Sequence, residues 1–202
     1  MGTLGGNVRV QGTSGDAPED PLSSWSGGSS VPCGDRTNMK TQMGEYVVGA
    51  YLKQILKCDV VDYNVRPPGG GLEGLAEFDV VGLKFGERSG YICEVTTHLD
   101  GLHYGNNQTT IQRIREKFER QRWHAETCLS DFERIHFMFW SPVVPRGYLT
   151  RELSKTEGLE LRINEGYKAC IEELKEEASR TTRDIGNPFF RALQILEHLR
   201  GP

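Results

Sequence analysis

The sequence has few of the features that mark a secreted, membrane-spanning or zinc-binding protein. Its five cysteines are scattered, odd in number and form no CxxC pair, which is typical of a reducing compartment and gives no zinc motif. No apolar segment resembles a signal peptide or a membrane span. We therefore expect a cytoplasmic or nuclear protein, not a secreted one, with no membrane partner.

Common catalytic and nucleotide-binding motifs are also missing. The chain contains neither a GxSxG nor a GxGxxG motif, which weakens the interpretation as a small-molecule enzyme on an unrelated α/β sheet. The glycine-rich segment 66–71 lacks the GxxxxGK(S/T) form and precedes no helix, so we interpret it as a mobile loop beside a substrate groove. The net charge of -4 argues against nucleic-acid binding through bulk charge alone but allows a local basic groove.

The chain divides by composition into a tail and one domain. Residues 1–38 are rich in Gly, Ser, Pro and Asp and have few large apolar side chains. Such a segment cannot bury enough surface to offset its ordering entropy, so we predict a disordered tail. We expect residues 39–202 to form a single α/β domain.

Hydrophobic periodicity predicts alternating helices and strands in this domain. The first three strands are expected to form an antiparallel meander, and later strands, reached through helices, to pair in parallel. The fold class is therefore a mixed β-sheet flanked by helices. Asn164 and Asn187 are predicted N-caps, and Trp123 and Trp140 are predicted packing residues. The predicted helices are 39–57, 109–128, 147–155, 165–180 and 188–199, and the predicted strands are 59–65, 77–84, 90–98, 134–144 and 159–163.

Two carboxylates interrupt the apolar strands of the predicted hairpin. Alternation places Phe78 and Val80 on one face and Asp79 on the other, and the hairpin register can bring Asp79 beside Glu94. Carboxylates in such strands are costly unless they are paired or bound to a cation. Together with the Val95 carbonyl, they would suit Mg²⁺ or Mn²⁺, which can prepare a water for phosphodiester hydrolysis.

This arrangement of elements and carboxylates over residues 39–165 resembles the PD-(D/E)xK nuclease superfamily, which has the restriction-endonuclease-like fold. The resemblance implies that Asp79 and Glu94 are catalytic metal ligands and that Glu45 on the first helix is a further ligand. Glu77 shares a strand face with Asp79 and would support the site. The implied product carries a 5′-phosphate.

The chain departs from this family at the lysine of its Glu-x-Lys motif, where Glu94 is followed by Val95 and Thr96. A threonine hydroxyl can hold a water or a phosphate oxygen but brings no positive charge. Two residues are candidates to replace the lysine, namely Lys117 on the long helix and His98 after the hairpin. The sequence does not choose between them.

The long helix and the loop before it contain the candidate nucleic-acid contacts. These are Arg113, Lys117, Arg120, Asn106 and Gln108. The alternative interpretation is an exposed helix whose charges form ion pairs one turn apart.

Our first hypothesis is a Mg²⁺- or Mn²⁺-dependent endo- or exonuclease, with DNA favoured over RNA. We expect it to act as a homodimer or within a larger defence or repair assembly. The alternative is a catalytically inactive relative that binds nucleic acid or a protein, which the threonine at position 96 favours.

Overall fold

The structure is a computed structural model that describes residue 2 and residues 40–66, 77–102 and 104–200. The predicted tail, apart from Gly2, and most of the glycine-rich loop lie outside the described residues. Residues 39–202 form one of the two units into which the chain divides, and the fold described here is that of this unit.

The described elements follow the predicted order of helices and strands, with shifted ends. The helices are α1 (Met43–Gln54), α2 (Asn107–Cys128), α3 (Tyr148–Leu153), α4 (Glu165–Arg180) and α5 (Pro188–Leu199). The strands are β1 (Val60–Val65), β2 (Phe78–Lys84), β3 (Ser89–Val95), β4 (Arg134–Ser141) and β5 (Leu159–Ile163). None of these helices combines the length and the hydropathy needed to cross a bilayer.

The five strands form one mixed sheet in the order β1-β2-β3-β4-β5. The β1–β2 and β2–β3 pairs are antiparallel, whereas the β3–β4 and β4–β5 pairs are parallel. The α2 helix joins β3 to β4, as a parallel connection requires. The predicted α/β class, with an antiparallel meander followed by parallel strands, is confirmed.

Adjacent residues of the central strands belong to different apolar clusters, which places one helical layer on each face of the sheet. Val80, Cys93 and Met138 pack with α1, α4 and α5. Ile92 and Phe137, one residue away along their strands, pack with α2 instead. Burial on both faces explains why β4 is almost continuously apolar, and each such side chain contributes about 1.5–3 kcal/mol.

The prediction for Phe78 was wrong. Its ring packs in the cluster of Val81, Ile92 and Phe118, and not with its expected partner Val80. Phe78 is the first residue of β2, where the chain enters the sheet and strict alternation of side chains need not hold.

The two predicted asparagine caps differ. The Asn187 side chain accepts a hydrogen bond from the Phe190 N–H at 2.9 Å and caps α5, as predicted. The Asn164 side chain makes no cap bond to α4. It instead accepts from the Val144 N–H at 2.8 Å and donates to the Val144 carbonyl at 2.9 Å, so it joins the start of α4 to the segment after β4.

The two tryptophans also differ. Trp140 is fully buried in the cluster beneath α1 and α4, as predicted. Trp123 is 63% exposed on α2, so its prediction as a packing residue was wrong. On this helix the apolar core contacts come from Ile111, Ile114 and Phe118, as the periodicity indicated.

Candidate active site

The hairpin register brings the two predicted carboxylates together. Val80 of β2 is paired with Cys93 of β3, and continuing this register by one residue places Asp79 opposite Glu94. Directly opposed residues of an antiparallel pair lie on the same sheet face. Asp79 Oδ2 accepts a hydrogen bond from the Val95 N–H at 2.6 Å, which fixes this carboxylate against β3.

The Glu94 carboxylate is bound by two side chains of α2. Lys117 Nζ donates to Glu94 Oε1, and Gln121 Nε2 donates to Glu94 Oε2 at 3.1 Å. The two donors are four residues apart, so they lie on one side of the helix. Packing of the α2 apolar stripe against the sheet therefore sets both donors over Glu94, which is only 7% exposed.

The electrostatics of the pair are governed by burial. Desolvation and the neighbouring Glu94 charge raise the pKa of Asp79 to about 7, against the weaker effects of the Val95 N–H and Lys117. Burial also raises the pKa of Glu94, although Lys117 and Gln121 oppose that change. The pKa of Lys117 is raised because its attraction to Glu94 and Asp79 outweighs the lowering effect of burial.

Glu45 approaches the site from the first turn of α1. Its carboxylate accepts hydrogen bonds from the Gln42 N–H at 3.0 Å and from Asn64 Nδ2 at 3.2 Å. Burial raises the pKa of Glu45, and the charge of Glu45 in turn helps to raise the pKa of Asp79. Glu45 therefore lies close enough to Asp79 for the two charges to interact.

Glu77 and Thr96 lie just outside β2 and β3, each two residues from one of the two carboxylates. Glu77 forms an ion pair with Arg66 at 3.8 Å, and its charge helps to raise the pKa of Glu45. Thr96 is buried, and its N–H donates to the Trp140 carbonyl at 2.9 Å. Its hydroxyl oxygen is buried and has no hydrogen-bond partner among the described residues.

His98 takes a different place from Lys117. Its exposed ring stands edge-on to Tyr104, with ring centroids 6.3 Å apart. Within the described part of the chain, no hydrogen bond joins His98 to Asp79 or Glu94. Of the two candidates for the missing lysine, only Lys117 is brought onto the carboxylates.

The other four predicted nucleic-acid contacts lie in four different environments. The Arg113 guanidinium lies 5.7 Å from the Tyr104 ring centroid, and the positive charge of Arg120 reaches Glu94, whose pKa it lowers. Asn106 is the N-cap of α2, because its side chain accepts from the Thr109 N–H at 2.8 Å. Gln108 lines a groove of about 690 Å³ between α2 and α3, whose lining includes neither Asp79 nor Glu94.

Sequence reasoning missed two residues of the site. Gln121 could have been found from its four-residue spacing to Lys117 on the same helix. Asn64 has a left-handed φ of 52°, which asparagine tolerates better than most residues. Its position opposite Asp79 follows only from the observed β1–β2 register, in which Tyr63 pairs with Val80 and Val65 with Phe78.

The donor set suits a hard divalent cation with few protein ligands. Among residues 40–66, 77–102 and 104–200, no three Asp, Glu, His or Cys side chains converge closely enough to hold one ion. Mg²⁺, however, commonly uses one or two carboxylates and keeps several waters. Asp79 and Glu94 could supply these, and the Asp79 carboxyl, whose pKa burial and Glu94 raise to about 7, would be favoured in its charged form by a bound cation.

Comparison of the chain with protein-family models, curated proteins and solved structures finds no match.

Proposed function

We propose that this chain is a metal-dependent nuclease with a restriction-endonuclease-like fold. The observation that carries the proposal is the contact of Lys117 with Glu94. The PD-(D/E)xK pattern lacks its lysine at Thr96, and Lys117 brings a positive charge to the same carboxylate from a different element. The mixed sheet, with its antiparallel meander and parallel extension, also supports the proposal.

In the proposed reaction, Asp79 and Glu94 would hold the cation, with the Val95 carbonyl, Glu45 and Glu77 as supporting groups. When bound, Mg²⁺ or Mn²⁺ would neutralise charge on the scissile phosphate and acidify a water. The Val95 N–H fixes one oxygen of Asp79, which leaves its other oxygen available as a ligand.

Lys117 has a separate role in this proposal. Its ammonium group would stabilise the charge that develops on the phosphate and help to orient the attacking water. The Thr96 hydroxyl, which lacks a partner within the described residues, would hold a water or a phosphate oxygen beside it. DNA is proposed as the substrate in preference to RNA, and a homodimer or a larger assembly as the working form.

One observation favours the alternative of an inactive nucleic-acid-binding or protein-binding module. Both Glu94 oxygens already accept hydrogen bonds, one from Lys117 and one from Gln121. A site kept only for structure would remain in this arrangement and bind no metal. Titration of the full chain with Mn²⁺ separates the two functions, because only the nuclease needs a cation at Asp79 and Glu94.

The test is cleavage of supercoiled plasmid, linear duplex, single-stranded DNA and RNA in Mg²⁺, Mn²⁺ or EDTA. We expect cutting that needs the metal and falls by at least about 10²-fold in both Asp79→Asn and Glu94→Gln. Asp62→Asn is the matched control, since Asp62 is an exposed aspartate on the neighbouring strand β1. Equal cutting by all three variants, or no cutting by the wild type, would contradict the proposal.

A further inference from the structure

Aromatic and cationic side chains gather at the N-terminal end of α2, next to the candidate site. The Arg113 guanidinium lies over the Tyr104 ring at 5.7 Å from its centroid, and the exposed His98 ring meets the edge of Tyr104. The Tyr104 N–H donates to Thr110 Oγ1 at 2.9 Å, which fixes the half-buried Tyr104 beside the first turn of α2. Aromatic faces and guanidinium planes are the surfaces on which unpaired bases stack.

A second aromatic group lies further along the same helix. The Trp123 ring, 63% exposed, contacts the His124 ring at a centroid distance of 4.7 Å. His124 in turn meets Phe78 edge-on at 6.4 Å, and Phe78 immediately precedes Asp79. A chain of three rings therefore leads from the surface of α2 to the strand that carries the carboxylate.

Three positive charges of α2 lie along the helix between Tyr104 and Trp123. Arg113, Lys117 and Arg120 are separated by four and three residues, so they share one side of the helix. Glu116 and Glu119 line the groove toward α3, as do Arg115 and Arg120. Arg113 and Lys117 lie outside that lining and give the side of α2 that faces the site a local positive charge on a chain whose net charge is -4.

We propose that α2 and the residues beside it form a binding track for single-stranded nucleic acid, with bases stacked at Tyr104 and Trp123 on either side of the carboxylate pair. This inference rests on the proposed nuclease function and specifies its substrate class. From Arg113 to His124 the helix rises about 16 Å, enough for about five stacked nucleotides. A duplex would keep its bases paired and could not use these rings.

The experiment measures binding of the full chain to a fluorescein-labelled 12-nucleotide DNA strand, the same strand as RNA, and the DNA duplex. EDTA is present, so that binding is measured without cleavage. We expect both single strands to bind at least about tenfold more tightly than the duplex. Tyr104→Ala and Trp123→Ala should each weaken single-strand binding by at least about fivefold, as loss of a stacked base does.

Tyr148→Ala provides the matched control. Tyr148 is an exposed tyrosine that, like the half-buried Tyr104, has an arginine over its ring, Arg151 at 5.9 Å, but it lies in the groove between α2 and α3. Its loss should change affinity by less than about twofold. A second test leaves the protein unaltered and uses strands that each carry one abasic position. Affinity should fall when the abasic position is at either of two separated places in the strand.

Duplex binding as tight as single-strand binding, or unchanged affinity in both aromatic variants and with every abasic strand, would overturn the inference. Failure of this inference and failure of the proposed nuclease function give different results, because binding is measured apart from cleavage. A chain that prefers single strands but cuts nothing with Mg²⁺ or Mn²⁺ would keep the track and lose the proposed activity. Metal-dependent cutting with a preference for binding duplex would support the proposed activity and overturn the single-strand track.

Discussion

At the scale of single residues, the site stores unfavourable electrostatic energy in a carboxyl that the fold has partly removed from water. Asp79 has one backbone donor and a charged neighbour of its own sign, Glu94, across the strand. Burial of a charge without full compensation costs stability, and such costs are typical of sites kept for function. Lys117 offsets part of this cost.

The Asp79 pKa sets a pH dependence of stability. The value of about 7 in the folded chain exceeds the ordinary value for aspartate, about 3.9. The folded state therefore binds this proton more tightly than the unfolded state, and stability falls as the pH rises from about 4 to about 7. Above about pH 7 the carboxylate is ionised in both states, and the full loss of stability caused by its burial is present.

Asp79→Asn should remove this penalty, because asparagine does not ionise and can still accept from the Val95 N–H. Asp79 keeps some contact with water and lies near Lys117, so the penalty is smaller than the full pKa difference implies. The gain in the free energy of unfolding should be about 1–3 kcal/mol larger at pH 8 than at pH 5. Urea unfolding in EDTA measures it, with Asp62→Asn as control. An equal effect at both pH values would contradict the assignment.

At the scale of elements, a glycine allows α1 to approach β1 closely. A Cβ added at Gly49 would lie 2.0 Å from the Tyr63 hydroxyl and 2.6 Å from its Cζ. The same hydroxyl accepts a hydrogen bond from Asn187 Nδ2 at 3.1 Å. The absence of a side chain at position 49 thus allows three elements, α1, β1 and the start of α5, to meet.

Gly49→Ala should lower the free energy of unfolding by about 1–3 kcal/mol, because overpacking against a rigid ring outweighs the gain of about 1 kcal/mol in helix propensity. Chemical denaturation measures the change. Gly86→Ala is the control, since a Cβ there would meet nothing within 4 Å. A Gly49→Ala chain as stable as the wild type would show that Tyr63 moves aside without cost.

The elements themselves follow from local patterns in the sequence. The hairpin, the apolar stripe of α2 and the cap at Asn187 could each be predicted, because period and cap chemistry act over a few residues. The role of Asn164 could not be predicted, because its backbone has a φ of 51° and its side chain bonds to Val144 instead of capping α4. Trp123 is exposed because it lies outside the buried stripe of α2, which continues from Phe118 through Gln121 to Ala125.

At the scale of the whole molecule, the site depends on contacts between distant parts of the chain. The pairing of Asp79 with Glu94 could be anticipated from a hairpin, in which the register is set locally. That Lys117 and not His98 contacts Glu94 could not be anticipated. Lys117 lies 23 residues after Glu94, and the contact depends on how α2 packs on the sheet. The sequence therefore predicted the pairing of the two carboxylates, whereas the position of the Lys117 ammonium group beside Glu94 required the tertiary structure.

The central claim is that Lys117 supplies the charge that Thr96 does not. Its most direct test is the single-turnover cleavage rate, at saturating Mg²⁺ or Mn²⁺, of wild type, Lys117→Met and the control Arg122→Met. Arg122 suits this purpose because it is an α2 cation, 54% exposed, whose partner Glu126 is also exposed. We predict a loss of about 10²–10³-fold in Lys117→Met and little change in Arg122→Met. Rates for Lys117→Met equal to those of the wild type would contradict the account.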